Sequence, residues 1–157
     1  MDIPAILISQ YLASLEMLKQ AILQCPEAVW NAPQDTNKFW HTAYHALYFV
    51  DEYLQYPPQE ITPWSKHRPG WEDFPAPPDG EFHDKATLLE YLAYCQQQVR
   101  QLLPGMHLAA PEAHGPLSMF ELQIYSIRHT MQHVGELLER LGSRTGAQID
   151  WVGSVRD

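Results

Sequence analysis

Basic residues are scarce in this chain: 10 Lys and Arg stand against 19 Asp and Glu, for a formal charge of -9. A nucleic-acid surface needs clustered Lys and Arg, so the balance speaks against that class of partner. Cysteine is nearly absent too. Cys25 and Cys95 lie far apart and fit no CxxC pattern, which leaves neither a disulfide framework nor a thiolate metal site and suits a reducing cytoplasm. The first stretch, MDIPAILISQYLASLEMLKQ, interrupts its apolar residues with Ser, Gln, Glu and Lys, so it reads as neither a signal peptide nor a membrane span. Strand-like alternation and internal repeats are missing throughout. What is present, 157 residues with 45% hydrophobic content, suffices for one core, and 1–157 is expected to be a single domain.

The apolar periodicity predicts four helices. Residues 3–24 place Leu7, Ile8, Tyr11, Leu12, Leu15, Leu18, Ile22 and Leu23 at steps of three and four, after Asp2 as cap and Pro4 in the first turn. PQDTNKFW offers capping residues to a second helix with a stripe of Trp40, Ala43, Leu47, Val50 and Leu54, ended by Pro57 and Pro58. Residues 57–83 hold seven of the 13 prolines and show no period; their aromatics Trp64, Trp71, Phe74 and Phe82 predict an ordered loop across one end of the molecule. Thr87 and Glu90 have capping-box spacing for a third helix, which closes on Pro104 and Gly105. Ser118 and Glu121 do the same for a fourth, running to Leu141 and stopping at Gly142. The fold class is all-α, an antiparallel four-helix bundle with a long Pro- and aromatic-rich loop between helices two and three. The tail QIDWVGSVRD has too little periodicity to assign.

Histidine carries the chemistry. The second helix contains His41 and His45, and the fourth contains His129 and His133 in IRHTMQHVGEL. At 100° per residue, Met119, Leu122, Ser126, His129, His133 and Leu137 share one sector, flanked by Phe120, Ile124, Ile127, Met131, Val134 and Leu138, so this pair faces inward. Residues four apart on a helix hold their Cβ atoms about 5 to 6 Å apart, close enough for two imidazoles to reach one divalent ion. A third imidazole from the second helix completes a three-ligand site with an open position, the arrangement of catalytic metals. A hydrogen-bonded core histidine cluster is the plainer alternative. His67, His83, His107 and His114 fall in loops or at a helix edge, where exposed imidazoles are ordinary.

FWHTAYHALYFVDEYL, the Pro-rich aromatic loop, TLLEYLAYC and IRHTMQHVGEL together resemble the DinB-like superfamily of small four-helix bundles, over nearly the whole chain. The resemblance implies an up-up-down-down bundle and a divalent metal on His45, His129 and His133, and three imidazole ligands suit zinc or nickel. His41 is then an orienting partner or proton carrier. It further implies a metal-dependent enzyme acting on a small molecule, a thiol S-transferase with a low-molecular-weight thiol as cosubstrate; a hydrolase and a non-catalytic dimeric stress-response bundle are the alternatives.

Thr130 stands where a zincin has its catalytic Glu, so peptide hydrolysis by that mechanism lacks its base. Glu136, Tyr48 and His41 are the catalytic candidates, with Glu52 and Tyr44 nearby. Their duller readings are a carboxylate that orients a ligand and tyrosines that pack. Tyr91 and Tyr94, near Leu88 and Leu92, are expected on an exposed side. With the resemblance, they suggest a two-fold homodimer formed by helices, leaving the loop at the mouth of the site.

Overall fold

A computed structural model describes residues 1–55, 61–75, 80–111 and 113–156, and among them the regular structure is entirely helical apart from one isolated bridge between His114 and Leu117. Helix α1 spans Ile3–Gln24, α2 Glu27–Trp30, α3 Phe39–Leu54, α4 Lys85–Leu102 and α5 Met119–Thr145, with a 3₁₀ turn at Leu103–Gly105. Pro57 and Pro58, expected to stop the second helix, lie outside the described residues; α3 has already ended at Leu54. No helix among the described residues is long and apolar enough to cross a membrane.

Local chemistry explains the ends. Asp2 accepts from the Ala5 amide at 3.1 Å and caps α1. At α5, Ser118 and Glu121 form the reciprocal box, with the Ser118 amide donating to Glu121 at 2.9 Å and the Glu121 amide to the Ser118 hydroxyl at 3.3 Å. Two expected caps are corrected. The cap of α4 is Asp84, whose carboxylate accepts from the Thr87 amide at 2.8 Å, so Thr87 already lies inside the helix. None of the polar residues before α3 caps it by side chain; Lys38 occupies that position and instead donates to the carbonyls of Ala32, Pro33 and Asp35. Nor does α5 stop at Gly142. It runs one turn further and ends at Gly146, whose φ of 70° is the left-handed geometry that glycine tolerates. Arg144 in that extra turn pairs with Asp35, adding a cation at the helix C-terminus.

The core lies where α1 and α3 each pack against both α4 and α5. Leu12, Leu15, Leu18, Ile22, Leu47, Leu88 and Leu137 are among the residues sealed in it. Leu23, assigned to the apolar stripe of α1, is 57% exposed, and Ile124 on α5 is 40% exposed. The buried face of α5 takes in the polar residues Gln123 and Thr130 instead. Gln123 is satisfied: it accepts from the Tyr11 hydroxyl at 2.7 Å and donates to the Tyr53 carbonyl at 3.1 Å. Leu88, Tyr91 and Leu92 are 0%, 0% and 2% exposed, so three of the four residues invoked for a homodimer are core, and Tyr94 is partly buried against it. Tyr91 stacks on Trp64 with ring centroids 4.2 Å apart.

Residues 61–75 run along α3 rather than across an end. Thr62 exchanges hydrogen bonds with the Gln55 side chain, His67 meets Tyr44, and Trp71 and Glu72 meet His41 and His45. This cover explains why α3 is buried nearly all round: its inner stripe meets α4 and α5, and the loop shields the opposite side. The tail also docks, lying along α1 through bonds between Gln20 and Asp150 and between Gln10 and Gly153.

Candidate metal centre

His45 on α3 and His129 and His133 on α5 converge. The Nε2 atom of His129 lies 3.3 Å from that of His45 and 3.1 Å from that of His133. All three residues offer ligand atoms within 4.8 Å of one another.

The partners on the far side of each ring fix what these atoms present. The Glu72 carbonyl, which can only accept, lies 2.6 Å from His45 Nδ1, so that nitrogen carries the proton and Nε2 keeps its lone pair. The carboxylate of Glu136 lies 2.9 Å from His133 Nδ1 and has the same effect on the second ring. Two bare Nε2 lone pairs thus point at the Nε2 of His129, whose Nδ1 is buried without a partner. A single imidazole proton serves this convergence poorly, and a cation serves all three. Two nitrogens each about 2.0 to 2.1 Å from a tetrahedral zinc stand about 3.3 Å apart, close to the observed spacing. The residues fit a divalent ion.

Burial favours the uncharged rings. It pushes the imidazoles of His45 and His129 down to about 4, and neighbouring imidazoles add to the effect, so both are neutral at pH 7 and available as ligands. Aromatic rings wall the site. Phe74 stacks on His45 at 4.4 Å, and Phe49 meets His45 and His129 edge-on at 4.7 and 5.3 Å. On the outer side Tyr125 lies parallel to His129, and a shallow cavity of about 370 Å³ is lined by Tyr125, Arg128, His129, Met131 and Gln132.

The other candidates take distinct places. Glu136 touches His133, as above, and is half exposed. His41 is not brought to the triad: its Nε2 donates to the Trp71 carbonyl at 2.6 Å, and its Nδ1 is buried without a partner. Tyr48 stacks on His67 at 5.1 Å, and its phenol is pushed up to about 12, chiefly by burial and then by Glu52 and Glu72. Tyr44 is fully buried and its hydroxyl lies 2.6 Å from His67 Nδ1.

Two histidines given no role are not ordinary exposed residues. His67 is 11% exposed at its side chain, and His83 is 8% exposed amid Trp40, Trp64 and Trp71. The carbonyls of Trp71 and Glu72 were missed altogether, because a backbone acceptor leaves no signature in residue type. The aromatic content of the loop was the one signal that this segment packs.

Comparison with known proteins gives one family. No curated protein and no solved structure matches the chain. A family model described as the DinB superfamily matches residues 10–137.

Proposed function

This chain belongs to the DinB superfamily, and from that premise we propose that it is a metal-dependent enzyme acting on a small molecule, with thiol S-transfer as its reaction. The observation that carries the reading is the convergence of three Nε2 atoms from two helices, two of them stripped of their proton by partners behind the ring. His45, His129 and His133 would hold zinc or nickel, since three neutral imidazoles suit both ions. Such an ion, when bound, lowers the pKa of a coordinated thiol or water toward neutrality.

The chain's own residues supply the rest. Glu72 and Glu136 orient two rings; Phe49 and Phe74 keep water from their flanks. Glu136, at the exposed edge beside His133, is suited to accept a proton, and Tyr48, its phenol made a weaker acid by burial, to offer a hydrogen bond without giving up its proton. The packing of α1 and α3 each against both α4 and α5 supports an up-up-down-down helix order.

Cobalt substitution of the untagged protein tests the reading. A visible absorption band that shifts on titration with a low-molecular-weight thiol is the expected result. A band indifferent to thiols would overturn thiol transfer and favour hydrolysis or a structural ion.

A further inference from the structure

His41 and His45 occupy successive turns of α3, and the carbonyls that receive them belong to successive residues, Trp71 and Glu72, each at 2.6 Å. Both bonds have one possible polarity, because a carbonyl only accepts: His41 donates from Nε2 and His45 from Nδ1. The segment that carries these carbonyls is ordered by two turns of its own, closed by the His67 amide on the Trp64 carbonyl at 2.8 Å and the Trp71 amide on the Arg68 carbonyl at 3.1 Å. Between the turns it is pinned to α3 again, by the Tyr44 hydroxyl on His67 Nδ1 at 2.6 Å. Arg68 lies over the Trp71 ring, 4.5 Å from its centroid, which steadies the second turn.

We propose that His41 is a positioning residue: by holding the Trp71 carbonyl, with the Tyr44–His67 pair as second anchor, it sets the register at which the Glu72 carbonyl meets His45. That register locks His45 as the Nδ1–H tautomer and aims its Nε2 lone pair at His129 and His133. His41 does this although it is fully buried and outside the triad, and the role explains why a second histidine stands one turn before the candidate ligand. Loss of that register would withdraw the Glu72 carbonyl from His45 Nδ1. An unconstrained histidine side chain favours the Nε2–H tautomer, which would turn an N–H toward the shared site. The consequence for metal affinity rests on the metal centre proposed above, whereas the tautomer of His45 does not.

The experiment separates the two. Long-range proton–nitrogen correlation spectra of the metal-free protein report which nitrogen of His45 carries the proton, and zinc competition titration reports affinity. His45 should be protonated at Nδ1 in the wild type. In His41→Leu that preference should be lost and zinc should bind about 10- to 100-fold more weakly. In His41→Gln, whose amide nitrogen can replace Nε2 as donor, both readouts should return to wild-type values. An unchanged His45 tautomer in the leucine variant, or a glutamine variant as impaired as leucine, would overturn the proposal. Should the leucine variant fail to fold, Tyr44→Phe removes one hydroxyl from the second anchor at nearly constant core volume. The same shifts are expected there, smaller in size, and unchanged values would overturn the proposal. A wild-type protein that takes up no zinc, while the His45 tautomer still follows residue 41, would overturn the metal centre and support the positioning role of His41.

Discussion

His45 and His129, 84 positions apart in the chain, hold their Nε2 atoms 3.3 Å apart across the contact of α3 with α5. The same His129 nitrogen also lies 3.1 Å from Nε2 of His133, so three basic nitrogens crowd one point. The ring behind each is neutral at pH 7, so the pair is built for a shared acid, either a proton or a metal ion. The first prediction distinguishes these. Zinc should raise the melting temperature of the wild type, as any ligand that binds only the folded state does. In His129→Ala the rise should vanish while circular dichroism stays that of the folded helices, because the leucine and aromatic core does not depend on the imidazole.

Glu136 is half exposed, so its bond to His133 is weaker than a buried one, yet it fixes the tautomer of that ring. Glu136→Ala should weaken zinc binding about tenfold, with Glu136→Gln in between because its amide oxygen still accepts. Competition against a chromophoric chelator measures both. Equal affinities in all three proteins would remove Glu136 from the site.

Asp51 is a buried carboxyl held by Gln55 at 2.6 Å and Tyr91 at 3.1 Å, and burial raises it to about 6 despite these donors. The folded pKa exceeds the ordinary carboxylate value, so the folded state binds the proton more tightly than the unfolded chain. The stabilisation from this group is therefore full below pH 4 and is lost as pH rises toward and past 6. Asp51→Asn keeps a neutral side chain of the same shape. Its stability relative to the wild type should improve between pH 4 and pH 7 by up to about 3 kcal/mol, the equivalent of two pKa units. Urea unfolding at several pH values checks the trend, and a difference independent of pH would contradict it.

Asp35 joins the segment before α3 to the end of α5 through Arg140 and Arg144. Its side chain is only 8% exposed, so the pairing is not a plain surface ion pair. Asp35→Ala leaves two guanidinium groups without their carboxylate and should cost about 1 to 3 kcal/mol in chemical denaturation. Hydrogen exchange should speed up in the last turn of α5, where Arg144 lies.

The sequence made legible what is coded locally. Ser118 and Glu121 cap α5 because both partners lie within four residues, and the inward direction of His129 and His133 follows from the helical period alone. Where two local solutions compete, the distant contact decides. Thr87 and Asp84 both suit an N-cap, and the chain takes Asp84. Gly142 suits a stop, but the pairing of Arg144 with Asp35 favours another turn. Tyr91 reads as a surface residue until Trp64, brought from the loop, stacks on it. His41 and His45 are equivalent by spacing; the course of residues 61–75 separates them, and no periodicity encodes it. The one-turn helix α2 is too short to show a period at all.

Native mass spectrometry of untagged protein, reconstituted with zinc or nickel and freed of loosely held ions, tests the metal centre most directly. The geometry of His45, His129 and His133 predicts one divalent ion per chain, lost when any one of the three is replaced by alanine. Wild-type chains that retain no ion, or alanine variants that retain as much as the wild type, would contradict it.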